Sequence, residues 1–194
     1  LTGYWLILSA HYALFPTESL ESTRAAKEIA RLAVQEGATV INDVGASLSQ
    51  VAAELQVGWV AMHMQGTPQT MQNNPKYNYV LLDIYDFFED SIKKFHNRKI
   101  IIDPGIGFGK NLKHNLTLIS NISLFHSLGF PILVGTSRKR FINQISGEYD
   151  SKDRIGGTLA SVLYLLSQGV QIFRVHNVRE VKQGIMVYEK INEK

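Results

Sequence analysis

Cysteine is absent from the 194 residues of this chain. That absence excludes a disulfide framework, thiolate catalysis and cysteine-ligated zinc or iron–sulfur sites, and it is typical of a reducing cytoplasm. Neither sign of charge is in large excess, because 20 Lys and Arg against 17 Asp and Glu leave a formal net charge of +3. Because the basic residues are not clustered with aromatic residues on one element, we expect no nucleic-acid partner.

Long hydrophobic runs are missing as well. No run approaches the ~20 apolar residues needed to cross a bilayer, and the apolar stretch 4–8 lacks the basic flank and cleavage site of a secretory signal. With 45% apolar and 19% charged residues, the composition is typical of a folded domain with a sizeable core. We therefore expect a cytoplasmic protein without a membrane partner, folded as one domain over residues 1–194.

Short apolar runs rich in β-branched residues recur along the chain. They do not alternate apolar with polar residues, which predicts strands buried on both faces, as in a parallel sheet covered by helices. The runs occupy residues 38–41, 58–62, 99–102, 131–134 and 170–175, with a further candidate strand at 4–8 or 12–15.

Longer segments with helical spacing separate these runs. Gly37, Gly129 and Gly169 each stand where a helix should end before the next strand, as a C-terminal capping glycine does. This alternation predicts an α/β domain with a parallel sheet. The predicted helices occupy residues 21–36, 80–95, 116–128 and 158–167.

Each predicted strand ends in a polar or glycine-rich cluster. Because the carboxyl ends of parallel strands share one edge of the sheet or one face of a barrel, these clusters predict a ligand site there. The clusters occupy residues 42–43, 63–68, 103–105, 135–139 and 174–177.

The segment 103–110 reads Asp-Pro-Gly-Ile-Gly-Phe-Gly-Lys. A P-loop requires four residues between its first Gly and the Gly-Lys pair, followed by Ser or Thr, whereas here there are three and Asn111 follows. The dinucleotide fingerprint G-x-G-x-x-G is not matched either. What remains is a tight glycine turn or a ligand loop of another kind, beside a strand-end Asp103.

Asp43 and Asp103 could form a paired carboxylate site, and with His63 and His176 a metal cluster. No tight ligand signature such as H-E-x-x-H supports that reading. We expect His63 to be hydrogen-bonded within the protein, and we predict no metal held by protein side chains.

A basic run, 137–140, directly follows a predicted strand. Alone, it could cap a solvated helix start or hold a phosphate. Beside Arg174 and His176 at the next strand end, the anion-binding reading gains, since several cationic groups can converge on one polyanion. The run is no nucleophile elbow, because Lys139 stands where that motif requires Gly.

Taken in order, these segments resemble the dihydropteroate synthase family. The resemblance implies a TIM-type (β/α) barrel that lacks the family's first two β/α units, so that it is incomplete at its N-terminal side. Residues 1–20 then form a divergent segment and residues 21–190 the part that resembles the family. The matching segments are 41–44, 62–68, 103–110, 135–139 and 174–180.

The resemblance also implies an activity. Family members join p-aminobenzoate to a dihydropterin methyl pyrophosphate and release pyrophosphate, with Mg²⁺ as cofactor, and they are homodimers. Lys139, Arg174 and His176 would be the catalytic residues, with the last two holding the departing pyrophosphate. Asp103 and Asn42 would bond the amino-pyrimidine edge of the pterin, and Lys139 its carbonyl and ring nitrogen. The walls would come from Val44, Met62 and Phe108, and Gly135 would also contact the substrate.

Three hypotheses remain besides an active synthase. The first is a pterin-binding homologue without synthase activity. The second is a pterin domain of a cobalamin-linked methyltransferase, which shares the fold but not the Ser-Arg-Lys and Arg-x-His endings. The third, a basic nucleic-acid binder, is disfavoured by the small net charge.

Overall fold

The computed structural model describes residues 5–8, 20–93 and 99–193. Within these residues, six strands alternate with helices in an α/β arrangement. The strands are β1 (Trp5–Leu8), β2 (Val40–Val44), β3 (Gly58–Met62), β4 (Ile100–Asp103), β5 (Leu133–Val134) and β6 (Ile172–Val175).

The helices connect and cover the strands. Two 3₁₀ segments, Ile122–Leu128 and Ser151–Asp153, accompany the α-helices. The α-helices are α1 (Leu20–Gln35), α2 (Ser49–Glu54), α3 (Val80–Lys93), α4 (Leu112–Ser120), α5 (Arg140–Ser146), α6 (Ile155–Ser167) and α7 (Val178–Asn192). None of them combines the length and the apolar character of a membrane-spanning helix.

All strand pairs are parallel. They form two three-stranded sheets, in the orders β1-β6-β5 and β2-β3-β4. A parallel bridge between Ile102 and Ile132 joins the sheets, with the Ile102 amide donating to the Pro131 carbonyl at 3.0 Å. The carboxyl ends of the strands therefore face the same way, which places their following loops on one side of the molecule.

The core lies between the strands and the helices. All five residues of β3 are buried, as expected for a strand covered on both faces. In α3 the buried residues Val80, Ile84 and Phe88 recur every four positions, so that one stripe of the helix packs inward. Trp59, Phe88, Phe125 and Phe173 are the largest of the fully buried side chains.

The five predicted strands are present, and residues 5–8 form the sixth; the alternative at 12–15 lies outside the described residues. The end of β2 differs most from the prediction, at Val44 and not at residue 41. Asn42 and Asp43 lie inside β2 rather than after it, paired in register with Val60 and Ala61. The strand tolerates a buried acid at this point because the Asp43 carboxylate receives N–H donors from the protein, described below.

All four predicted helices are present, but 116–128 is not one helix. A helix begins at Leu112, where the Asn111 side chain accepts from the His114 amide at 2.8 Å, and ends at Ser120 before the 3₁₀ segment. α2, α5 and α7 were not predicted. α2 and α5 have six and seven residues, too short for a helical repeat to show in the sequence.

Candidate functional site

Three side chains from three strands meet at the carboxyl-end side of the sheets. Asp103 is the last residue of β4, Asn42 lies in β2 and Arg174 lies in β6. Arg174 joins the other two, since its Nη1 donates to Asn42 Oδ1 at 3.0 Å and its Nη2 lies 3.0 Å from Asp103 Oδ2. The structure thus brings these three predicted site residues together.

The Asp103 carboxylate is buried, with a side chain 1% exposed. Its Oδ1 accepts a hydrogen bond from the Gly105 amide at 2.8 Å. Its Oδ2 forms the ion pair with Arg174 but accepts no aligned hydrogen bond from the described residues. Buried acceptors are seldom left without such a bond, so this oxygen is the one most available to a donor from a ligand.

Gly135, immediately after β5, allows the Arg174 guanidinium to lie against the backbone. A Cβ at Gly135 would stand 3.0 Å from Nη2 and 3.3 Å from Nε of Arg174. A side chain at this position would therefore press on the guanidinium that spans Asn42 and Asp103.

Lys139 reaches the same place from the segment after β5. Its Nζ lies 4.0 Å from the centroid of the Phe108 ring, in a cation–π contact. Burial, and next the nearby Arg174 charge, lower the pKa of Lys139 to about 8, while Asp103 acts in the opposite direction. Two cations are thus held close together around one carboxylate.

His176 lies beside Ser137, near the cations of the site. His176 Nδ1 lies 3.0 Å from Ser137 Oγ, and the His176 amide donates to the same oxygen at 3.2 Å. Burial lowers the pKa of His176, and the charges of Arg138, Lys139 and Arg174 lower it further. The residue is exposed overall, so its imidazole is open to an anion that enters from solvent.

Val44 and Met62 supply apolar surface beside Asp103. They are paired in register across β2 and β3, and Met62 is paired in turn with Asp103 of β4. Both side chains are buried, at 1% and 0% exposure. All nine residues predicted for the site are therefore placed by β2, β3, β4 and β6 and by the segments that follow β4, β5 and β6.

The sequence predicted no role for Lys110, the last residue of the glycine segment 103–110. Its side-chain Nζ donates to the Phe108 carbonyl at 2.9 Å and lies 3.0 Å from His63 Nδ1. Burial lowers the pKa of Lys110 to about 7, and burial with the Lys110 charge lowers that of His63 to about 3. His63 is therefore neutral and hydrogen-bonded within the protein, as predicted. The sequence feature that could have indicated this buried lysine is its position at the end of the glycine segment 103–110.

The loop after β3 holds the glycine segment in place. The Gln72 side chain donates to the Gly107 carbonyl at 2.7 Å, and the Tyr77 hydroxyl donates to the Gly109 carbonyl at 2.8 Å. Gln65 in turn bonds the backbone of Lys76 through both ends of its amide. The contacts of Gln72 and Tyr77 were not evident from the sequence because they join residues 35 and 32 positions apart.

Asp43 does not belong to the site. Its Oδ2 accepts from the Leu48 amide at 2.6 Å and from Trp59 Nε1 at 2.9 Å. Burial raises the pKa of this carboxyl, and the hydrogen bonds oppose that shift in part. Asp43 is therefore not paired with Asp103. Its carboxylate makes a structural contact that ties β2 to β3 and to the loop before α2.

The donor set does not fit a Mg²⁺ ion held by side chains. In the part of the chain that the structure describes, no three His, Cys, Asp or Glu residues are grouped as a metal site requires. The two strand carboxylates are already engaged, Asp43 by N–H donors and Asp103 by Arg174. Mg²⁺ in substrate sites typically takes one or two carboxylates and phosphate oxygens.

Comparison with known proteins decides the family. A model described as pterin binding enzyme matches residues 19–176. The chain belongs to the pterin-binding enzyme family. In this family, dihydropteroate synthase of Escherichia coli (strain K12) is 39% identical over 172 residues, 84% of this chain and 60% of the relative. That of Synechocystis sp. (strain ATCC 27184 / PCC 6803 / Kazusa) is 38% identical, over 85% of this chain and 60% of the relative.

Solved structures of the same pterin-binding enzymes are similar in fold. Dihydropteroate synthase from Thermus thermophilus in complex with 6HMPPP has a TM-score of 0.82 and 35% identity, covering 86% of this chain and 70% of that chain. The Xanthomonas albilineans enzyme in complex with 7,8-dihydropteroate has a TM-score of 0.79 and 31% identity, covering 87% and 66%. The chain spans 60% of the length of the two curated relatives named above.

Proposed function

We propose that this chain is a dihydropteroate synthase. It condenses p-aminobenzoate with 6-hydroxymethyl-7,8-dihydropterin pyrophosphate and yields 7,8-dihydropteroate and pyrophosphate. Membership of the pterin-binding enzyme family supports this function. The observation that carries it is the buried Asp103 carboxylate, which has one oxygen free of aligned hydrogen bonds and lies with Asn42 within reach of a single ligand edge.

Asp103 and Asn42 recognise the pterin in this proposal. A carboxylate accepts two parallel N–H bonds from an amino-pyrimidine edge, and such charge-assisted bonds are roughly twice as strong as neutral ones. Lys139 donates to the pterin carbonyl and ring nitrogen, while Val44, Met62 and Phe108 provide the apolar walls and Gly135 leaves room beside the ring. The burial of Asp103 supports this role, because water competes poorly for its oxygens.

Arg174, Lys139 and His176 stabilise the leaving group. The bond from the methylene carbon to the pyrophosphate oxygen breaks, and the electron pair stays on that oxygen. The amine nitrogen of p-aminobenzoate then forms the new bond to carbon and loses a proton. Fixed positive charge where the negative charge develops lowers the barrier. Burial is the main cause that lowers the pKa of Lys139 and of His176, and the Arg174 charge lowers both further, which supports such a cluster.

The remaining features of the proposal follow the family. The parallel strands belong to a TIM-type barrel, formed by one domain in which residues 21–190 carry the family's features. The protein is a cytoplasmic homodimer with small-molecule substrates. Mg²⁺ accompanies the pyrophosphate, whose oxygens rather than the described side chains are its ligands.

Product formation tests the function. Folded protein is mixed with dihydropterin pyrophosphate, p-aminobenzoate and Mg²⁺, and dihydropteroate and pyrophosphate are followed. We expect turnover in the wild type, and in Arg174→Ala a larger loss of turnover than of affinity for the dihydropterin pyrophosphate. Pterin binding without turnover would instead identify a pterin-binding homologue without synthase activity. Unchanged turnover in Arg174→Ala would contradict the role of the guanidinium.

A further inference from the structure

One guanidinium contacts both groups that the proposed function assigns to the pterin edge. Arg174 Nη1 donates to Asn42 Oδ1 at 3.0 Å, and Arg174 Nη2 lies 3.0 Å from Asp103 Oδ2. Arg174 and Asn42 are 132 residues apart in the sequence, so the fold itself brings them together. Arg174 thus contacts both acceptors that the proposed function assigns to the pterin.

The Arg174 guanidinium presents hydrogen-bond donors in the same way as the amino-pyrimidinone edge of a pterin. A guanidinium presents N–H donors on nitrogens that share one carbon, and an amino-pyrimidinone edge presents a ring N–H and an amino group that also share one carbon. Both offer their donors in one plane, suited to a carboxylate. A pterin edge at this position would therefore compete with Arg174 for Asp103 Oδ2 and Asn42 Oδ1.

We propose that Arg174 determines specificity by this competition, an inference that rests on the proposed function. In the free protein, Arg174 takes the place of the pterin edge, and it yields that place at little cost only to a ligand that also carries an anion. The site therefore selects a pterin with a pyrophosphate over a pterin without one, beyond the direct attraction of the pyrophosphate.

The surroundings of Arg174 explain why an anion is required. A guanidinium that leaves the buried Asp103 carboxylate loses its counter-charge, and breaking one side of a buried ion pair is costly. It remains close to Lys139, and Arg138 and His176 lie in the same electrostatic neighbourhood. Without an anion, displacement adds an unpaired charge to this cluster. A pyrophosphate provides the new partner.

The wild-type protein tests this coupling without any substitution. The dissociation constant of 6-hydroxymethyl-7,8-dihydropterin is measured by calorimetry with and without saturating inorganic pyrophosphate. We expect pyrophosphate to tighten pterin binding by about 5- to 150-fold, the usual range for coupled sites, and by linkage the pterin to tighten pyrophosphate binding equally. Independent binding, or mutual weakening, would overturn the inference.

Variants separate competition from simple attraction. In Arg174→Met we expect 6-hydroxymethyl-7,8-dihydropterin to bind more tightly than in the wild type, and the coupling to disappear. Arg179→Met, which removes a positive charge from the start of α7, is the matched control and should retain the coupling. If Arg174 acts only on the pyrophosphate, its loss leaves the affinity for the pterin alone unchanged, which would overturn the inference.

The outcomes also distinguish this inference from the proposed function. A wild type that binds neither dihydropterin pyrophosphate nor 6-hydroxymethyl-7,8-dihydropterin overturns both. A wild type that turns over its substrates but shows no coupling overturns the inference and leaves the function in place. Should Arg174→Met fail to fold, the wild-type coupling measurement decides alone.

Discussion

Replacing Gly105 with alanine would drive a methyl group into the backbone carbonyl of His63, the residue that follows β3. Gly105 follows β4 with φ +68°, and a Cβ there would stand 2.0 Å from the His63 carbonyl oxygen, just beyond β3. The left-handed backbone alone costs a residue with a side chain about 1–2 kcal/mol. Forcing the carbonyl away adds an overpacking cost of about 1–3 kcal/mol. We therefore expect the free energy of unfolding to fall by about 2–5 kcal/mol.

Gly129→Ala is the matched control. Gly129 ends the 3₁₀ segment before β5 with φ +78°, and a Cβ there would meet no atom within 4 Å. For Gly129→Ala, the free energy of unfolding should fall only by the cost of the left-handed backbone, about 1–2 kcal/mol. Both variants are unfolded in urea, and pterin affinity is measured alongside. Because the Gly105 amide donates to Asp103 Oδ1, Gly105→Ala should also bind pterin more weakly. Equal losses of stability in the two variants would refute this reasoning.

Two further predictions concern buried polar groups. Trp59→Phe removes the donor that lies 2.9 Å from Asp43 Oδ2. Because the buried carboxylate loses this hydrogen bond, the free energy of unfolding in urea should fall by about 1–3 kcal/mol. A urea midpoint equal to that of the wild type would contradict the contribution of this contact. Lys110→Met should flatten the pH dependence of stability. The folded-state pKa of Lys110, about 7, lies below the ordinary 10.5, so the unfolded chain binds more protons between these values. The wild type should therefore gain stability relative to the variant as pH rises across that window, and parallel profiles would contradict it.

The position of the site could be predicted from the sequence because it depends on the strands. Asn42, Asp103 and Arg174 each lie in or directly after an apolar run that forms a parallel strand, and parallel strands present their carboxyl ends together. Alternation of runs and helical segments was enough to establish that pattern. The exact end of β2 was not, because a buried Asp43 with its own donors can stand inside a strand.

The pairing of side chains within the site could not be predicted. The contacts of the Arg174 guanidinium with both Asn42 and Asp103 depend on distances across the sheets, not on spacing in the chain. The same holds for Lys110 and His63, which are 47 residues apart and meet only where the glycine segment lies against the end of β3. A lysine in a sequence is ordinarily expected at the surface, whereas Lys110 is 3% exposed.

Binding of 6-hydroxymethyl-7,8-dihydropterin pyrophosphate to the wild type and to Asp103→Asn tests the account most directly. Both proteins are first shown to be folded, and the dissociation constants are then measured by calorimetry. A hydrogen bond to a charged group contributes about 1.5–3 kcal/mol, so we predict saturable binding in the wild type and about 10- to 150-fold weaker binding in the variant. Equal affinity in the two proteins, or no binding to the wild type, would contradict the assignment of Asp103 as the group that recognises the pterin.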